Sequence, residues 1–349
     1  MNPFWAGKRV LLTGHTGFKG GWLALWLQSL DAKVVGISLP PETTPNLFTV
    51  AKVGEVCDSH FCDIRDLVSI ERLVKDFYPE IVFHLAAQPL VRRSYQLPVE
   101  TFETNVIGTV NVLEAIRRVG CVKVAVMVTT DKVYKNNEWP WSYRETDELG
   151  GHDPYSASKA AAEIAIASYR DSFLASQGCA VASVRAGNVI GGGDWSEDRL
   201  IPDAIRAWQS ESTLRIRRPD AIRPWQHVLE PLSGYLRLAE ALWDNAELAG
   251  AFNFGPNSGG VATVRDVIEH ARAAYGHGEV EYQEQPQGPH EAGCLKLDIA
   301  KAEQTIGFKP KWDLETAIAR SIGWYREVAA GADARKLCLD QIAEYESIG

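Results

Sequence analysis

The stretch Thr13-Gly-His-Thr-Gly-Phe-Lys-Gly20 lies between an apolar run, Arg9–Thr13 (RVLLT), and a helix-like segment that begins near residue 18. Its glycines, Gly14, Gly17 and Gly20, recur at offsets of three. In a strand–loop–helix unit, the first permits a tight turn and the second lets backbone amides approach a pyrophosphate. The third lets the helix pack closely on the sheet. A pyrophosphate held there lies at the positive end of the helix dipole. A glycine triplet alone says little, but strand and helix flank this one as a βαβ unit requires, so a dinucleotide is the expected ligand.

The pattern continues outward from that loop. Strand-like runs fall at 9–13, 33–37, 55–60, 81–85, 122–129 and 180–185, with helix-like stretches near 18–30, 66–77, 100–118 and 154–177. The runs are nearly continuous in apolar residues, as strands covered on both faces are. Strand–helix alternation of this kind predicts an α/β fold with a parallel, doubly wound sheet of Rossmann type. After residue 186 the texture changes: Gly191-Gly-Gly-Asp-Trp195 signals a loop, and arginines gather between 199 and 223. Residues 1–186 are therefore expected to form the cofactor domain and 187–349 a smaller domain, with a crossing back near 223–260. The run Ala251–Phe254 is either a returning strand or a neighbour of the sheet.

Composition narrows the partners. The chain has 349 residues, 46% hydrophobic and 23% charged, and carries a net charge of −9. That balance argues against nucleic acid or an anionic membrane as the main partner. An anionic ligand must then be met by local arginines and backbone amides. The six cysteines, at 57, 62, 121, 179, 294 and 338, form no CxxC pair. Free thiols in a reducing compartment fit them better than a zinc site, and no metal is expected. The start MNPFWAGKRV lacks the apolar core of a signal peptide, and no apolar run reaches the length of a membrane span. The expected location is the cytoplasm.

Tyr155-Ser-Ala-Ser-Lys159 follows Asp153-Pro154 and opens an alanine-rich segment. Spacing of four places the phenol and the ammonium on one helix face. A fixed cation and an oxidised nicotinamide would lower the phenol from its usual value of about 10, making Tyr155 a base toward a sugar hydroxyl. With TGxxGxxG at 13–20, Asp63 in CDIRD, His84-Leu-Ala-Ala87, Asn105 in TNVIGT and YxxxK, the chain resembles the extended short-chain dehydrogenase/reductase family over nearly its whole length. The resemblance implies a Rossmann-type cofactor domain holding NAD, a smaller C-terminal domain for a nucleotide sugar, and a homodimer or dimer of dimers. It assigns Gly14, Thr16, Gly17, Phe18, Lys19 and Gly20 to the cofactor, with Asp63 and Ile64 at the adenine. Leu85, Ala86, Ala87, Asn105, Tyr155 and Lys159 complete that set. No carboxylate follows the second strand, which runs into Ser38-Leu-Pro-Pro41, so NAD rather than NADP rests on the resemblance.

Within the family, Thr129-Thr-Asp-Lys-Val-Tyr134 stands where sugar-nucleotide 4,6-dehydratases carry Thr-Asp-Glu. The stretches GNVIGGGDWSEDRLIPD (187–203) and RPWQHVLEPLSGYL (223–236) resemble the branch that acts on CDP-glucose. The resemblance implies that Tyr155 takes the C4 hydroxyl proton as hydride leaves C4, and that Thr130 polarises that hydroxyl. Asp131 would give the C6 hydroxyl its proton, and hydride would return to C6. Lys132 replaces the glutamate assigned to the C5 proton: it acts as a neutral base, or stays charged and stabilises the enolate. For the substrate, the match assigns Gln88 to the hexose, Asn188 and Arg223 to the pyrophosphate, and Arg199, Leu200, Arg215, Arg217 and His290 to the nucleotide. Trp195 and Trp225 either stack on a base or fill core space, and the core is the default for tryptophan. A 4-epimerase on the same fold is the alternative, since it shares the loop and YxxxK but needs no acid for water loss. A cofactor-sensing binding protein is the other, and the retained Tyr155 and Lys159 count against it.

Overall fold

A computed structural model describes residues 3–257, 261–283 and 293–348. Six strands appear in the first half: β1 (Arg9–Thr13), β2 (Lys33–Ser38), β3 (Asp58–Phe61), β4 (Ile81–His84), β5 (Val124–Val128) and β6 (Ala180–Ala186). Short strands β7 (Val189–Ile190), β8 (Leu214–Ile216), β9 (Ile222–Pro224) and β10 (Gln226–His227) follow. Then come β11 (Ala251–Phe254), β12 (Val261–Thr263) and β13 (Val280–Tyr282). The main sheet is parallel, in the order β11-β6-β5-β4-β1-β2-β3. The order reverses between β1 and β4, which is where an open α/β sheet leaves a crevice beyond its carboxyl ends.

Ala251–Phe254 therefore rejoins the sheet, beside β6. Between and after these crossings, β8 pairs with β13 and β9 with β12, outside the main sheet. The third strand begins at Asp58, later than the sequence pattern suggested, because a 3-10 turn occupies Val53–Glu55.

Alternation along the strands sorts side chains to two cores. Val10 and Leu12 join Trp22, Leu23 and Trp26 of α1 (Phe18–Ser29) on one face, while Leu11 joins the opposite cluster. That cluster takes Ile70 and Val74 from the helix Leu67–Phe77, and Val112 and Ile116 from Gly108–Val119. In α1 every residue from Gly20 to Leu27 is buried, a pattern expected only of a helix covered on all sides. The C-terminal helix Ala334–Ser347 supplies the cover: Trp26 Nε1 donates to Glu346 Oε1 at 2.8 Å, and Arg335 Nε donates to the Ala51 carbonyl at 2.8 Å.

Burial holds three imidazoles neutral. It lowers His15 to about 4 and His84 and His227 to about 3. The unfolded chain protonates these rings near their ordinary value of about 6.5, while the folded chain does not. Their contribution is thus complete above pH 6.5 and is lost as pH falls, by about 1.4 kcal/mol per pH unit per ring. Urea midpoints are expected to hold steady from pH 8 to 7 and to drop clearly between pH 6.5 and 5. A flat profile across the lower range would show that the rings accept protons within the fold.

Candidate active site

Beyond the carboxyl ends of β1, β4 and β5 lies a cleft of about 1460 Å³. The glycine loop forms one wall. Gly14 has φ +82°, and a Cβ there would sit 2.7 Å from the Ala86 amide nitrogen. A Cβ on Gly20 would lie 2.0 Å from the Gly14 carbonyl oxygen, so the helix meets the loop only because Gly20 has no side chain. Gly17 is the N-cap of α1, and a Cβ there would meet only the Gly14 oxygen, at 3.4 Å. The helix N-terminus thus opens to the cleft with unblocked amides, and the cradle fits the pyrophosphate of a dinucleotide.

Thr13 ties this loop to the next strand. Its hydroxyl oxygen accepts the amides of Leu85 and Ala86, both at 3.1 Å, and lies 2.7 Å from His84 Nδ1. Thr109 donates to the Asn105 carbonyl at 2.7 Å and so accepts from His84 Nε2 at 3.0 Å. Neutral His84 then carries its proton on Nε2 and receives the Thr13 hydroxyl proton at Nδ1. Thr16 is fixed to Ser38 (2.7 Å) and to the Leu39 carbonyl (2.8 Å), and Asp63 is fixed by Arg65, whose hydrogen bonds hold its carboxyl below the usual range.

The catalytic candidates face this wall. The helix α7 (Pro154–Tyr169) starts where its sequence predicts: Pro154 occupies its first turn, and Asp153 accepts Ser156 N at 2.9 Å and Ser156 Oγ at 2.6 Å. Tyr155 and Lys159 project from it, both almost buried. Lys159 Nζ donates to the Val128 carbonyl at 3.1 Å, and burial lowers the ammonium to about 8. Thr130 lies beside the Tyr155 hydroxyl and favours its ionised form. Burial raises that phenol above its usual range, against the lowering by Thr130 and Arg199. Desolvation dominates, and the main lowering influences are Thr130 and Arg199 rather than Lys159.

Residues Asp131–Val133 form a single 3-10 turn capped by Thr130. Thr130 Oγ1 donates to Asp131 Oδ1 at 3.0 Å, and Lys132 Nζ lies 3.5 Å from the same oxygen. Asp131 is 0% exposed, and its Oδ2 has no hydrogen-bond partner. That oxygen rests against the backbone of Gly187, where a Cβ would stand 1.9 Å away. A buried acceptor without a partner, in a residue that lines the cleft, calls for an explanation. The Lys132 side chain is 34% exposed.

The cleft also takes in Phe18, Lys19, Ile64, Leu85, Ala86 and Ala87 of the cofactor set, and Gln88, Asn188, Arg199, Leu200, Arg215, Arg217 and Arg223 of the substrate set. Lys19 is lowered to about 7, by burial first and by Arg199 second. Asn188 has φ +47° and a buried Oδ1 without a partner. Asn105 is different. It sits in a π-turn, Glu103–Ile107, behind the wall, where it accepts Gln88 N at 2.8 Å and donates to Ser158 Oγ at 2.9 Å. The Gln88 amide likewise turns inward, to Leu90 and Thr101. His290 lies outside the described residues.

Sequence reading missed Arg92 and Asp198. Both line the cleft, 3.4 Å apart, and Arg217 reaches the same carboxylate at 3.5 Å. Trp225 is 6% exposed and Trp195 packs edge-on against Tyr325, yet both also touch the cleft. Among the described residues no group of three or more His, Cys, Asp or Glu is placed to hold a metal ion.

The family model for GDP-mannose 4,6 dehydratase matches residues 11–321. The chain belongs to this family. It is 45% identical to the CDP-glucose 4,6-dehydratase of Salmonella typhimurium, over 99% of this chain and 98% of that protein. Among solved structures, it is similar to the UDP-glucose 4-epimerase of Thermus thermophilus complexed with NAD, at 27% identity and TM-score 0.79, covering 91% of this chain and 99% of that one. It is also similar to TunA, described as an NAD-dependent NDP-hexosamine 5,6-dehydratase, at 25% identity and TM-score 0.76, covering 92% and 98%.

Because Gly187 admits the Asp131 carboxylate, Gly187→Ala is expected to displace it. A shift near 1 Å at a reacting group costs about 100-fold in rate. Turnover should fall by at least about that factor, while cofactor affinity, measured by fluorescence titration, stays within a few fold of the parent. Retained turnover would mean that Asp131 has room elsewhere.

Proposed function

We propose that the chain is a CDP-glucose 4,6-dehydratase, a hydro-lyase that converts CDP-glucose to CDP-4-keto-6-deoxyglucose and water while holding NAD. The observation that carries this reading is the buried, unpartnered oxygen of Asp131 close to the Tyr155–Thr130 pair, in a chain 45% identical to a CDP-glucose 4,6-dehydratase. An epimerase needs the phenol and the lysine, but has no use for an acid aimed at a second hydroxyl.

NAD, when bound, accepts the C4 hydride and gives it back at C6. Gly14, Gly17 and Gly20 shape the loop for its pyrophosphate, and Asp63 and Ile64 border the adenine end. Tyr155 takes the C4 hydroxyl proton, and Thr130 orients the phenol and the sugar hydroxyl together. In this cleft burial opposes phenolate formation; the positive charge of an oxidised nicotinamide and of Lys159 counters it. Once C4 is a ketone, the C5 hydrogen becomes acidic. Asp131, protonated on its unpartnered oxygen, delivers that proton to the departing C6 hydroxyl. Lys132, beside it, steadies the enolate or relays the C5 proton. Asn188 and Arg223 would meet the substrate pyrophosphate, and Arg199, Leu200, Arg215 and Arg217 the nucleotide.

The enzyme is proposed to work as a homodimer in the cytoplasm. Val99, Phe102 and Ile107, at 70%, 40% and 51% exposure, stand beside α7, whose Ile164 is 62% exposed. Such a cluster of apolar side chains suits an isologous contact between helices. All six cysteines are free, which suits a reducing compartment. Ile164→Glu is expected to give monomers by light scattering; an unchanged mass would place the contact elsewhere.

Incubation with CDP-glucose should yield a product with the alkaline absorbance of a 4-keto sugar. Tyr155→Phe should lower turnover by about 100- to 10,000-fold, the usual range for a general base. Asp131→Asn should still form reduced cofactor but release almost no 4-keto-6-deoxy product. Turnover of UDP-sugars with none of CDP-glucose would favour the epimerase.

A further inference from the structure

Behind the catalytic groups lies an ion pair that none of these steps uses. Glu163, on α7, and Arg185, on β6, have side chains 3% and 4% exposed. Arg185 donates from Nη2 to Glu163 Oε2 at 2.8 Å and from Nε to Oε1 at 3.0 Å. Ser183 Oγ adds a third hydrogen bond, to Oε2 at 2.7 Å. Each partner also grips one end of the turn that carries Asp131. Glu163 Oε1 accepts Thr129 Oγ1 at 2.5 Å, and Arg185 Nη1 donates to the Tyr134 hydroxyl at 2.8 Å. That hydroxyl donates onward to Asn253 Oδ1 at 2.7 Å, and Asn253 Nδ2 donates to the carbonyls of Tyr143 and Asp298.

The turn needs such support. Its own hydrogen bonds are long: Val133 N to the Thr130 carbonyl is 3.4 Å, and Lys132 N to Thr130 Oγ1 is also 3.4 Å. By contrast, Tyr155 and Lys159 stand on a sixteen-residue helix with a well-made N-cap. Glu163 lies one helical turn beyond Lys159, on the same face. One ion pair therefore joins the helix that bears the phenol to the turn that bears the acid.

We propose that Glu163 and Arg185 are positioning residues for water loss, fixing Asp131 and Lys132 relative to Tyr155 without touching the sugar. The proposal rests on the dehydratase reading and deepens it. Oxidation at C4 depends on groups carried by the helix. Elimination depends on the turn: Lys132, or a water it holds, takes the C5 proton, the C5–H electron pair forms the C5–C6 double bond, and the C6–O bond breaks as the oxygen leaves as water with the Asp131 proton. Loosening the clamp should therefore slow the second step and spare the first.

Thr129→Val and Tyr134→Phe each remove one grip and keep the ion pair. In single turnovers with NAD and CDP-glucose, reduced nicotinamide should form within about twofold of the parental rate in both variants. It should accumulate to a larger amplitude, while 4-keto-6-deoxy product appears at least about tenfold more slowly, the scale expected for a misplaced reacting group. Melting temperatures and the amplitude per active site exclude a folding defect. Equal slowing of both phases, or no slowing of product, overturns the positioning role. A parental enzyme that forms no 4-keto-6-deoxy sugar overturns the functional reading instead.

Discussion

A helix offers its N-terminal amides to a diphosphate only if its first turn lies directly against the strand before it. Here the contact is between Gly20 and the Gly14 carbonyl, where even a methyl group would come within 2.0 Å. That approach seats α1 on the sheet at the point where strand order reverses. It also brings Phe18 and Lys19 to the floor of the cleft, with Gly191 packed against the Phe18 ring. The second loop, Gly191 to Trp195, is held in turn from the C-terminal side: Tyr325 donates to the carbonyls of Gly191 and Asp194, and Trp22 Nε1 donates to that of Gly192. The glycine loop at 13–20 and the loop at 191–195 are thus built against each other, so their spacing is a property of the core.

Several buried polar side-chain atoms among the described residues lack a hydrogen-bond partner, among them atoms of Asp131 and Asn188, which line the cleft. Burying a charged pair costs several kcal/mol per ion, which only good geometry and further hydrogen bonds offset. Glu163 meets that condition with Arg185, Thr129 and Ser183, and the arginine is the main reason its carboxyl stays ionised although burial opposes it. Removing one partner of such a pair typically costs about 3 to 5 kcal/mol, because the other charge is left buried alone. Asp131, two residues from Thr129, is just as buried but leaves Oδ2 without a partner. The same fold thus satisfies one buried carboxylate fully and leaves its neighbour at the cleft wall with only one oxygen engaged.

Local chemistry made much of this legible. The glycine offsets, the Asp153-Pro154 helix start and the four-residue step from Tyr155 to Lys159 act over short range, and the sequence displays them directly. What it hid depends on chain return. Arg92 and Asp198 stand more than a hundred positions apart, and nothing local marks them as partners. Glu163 and Arg185 read as a helix glutamate and a strand arginine until β6 brings them together. Asn105 and Gln88 carry family motifs, yet their side chains are engaged by Ser158, Leu90 and Thr101. Motif spacing identifies a residue; it does not say which way the side chain points.

Lys132 shows the same limit on the chemistry. A lysine serves as a base only when desolvation or a nearby cation makes its neutral form accessible. This side chain is one-third exposed, and its ammonium lies 3.5 Å from a carboxylate oxygen. The ammonium and the buried carboxylate form one unit, so what either does to a sugar in the cleft depends on the other, and neither is read correctly from its own position in the motif.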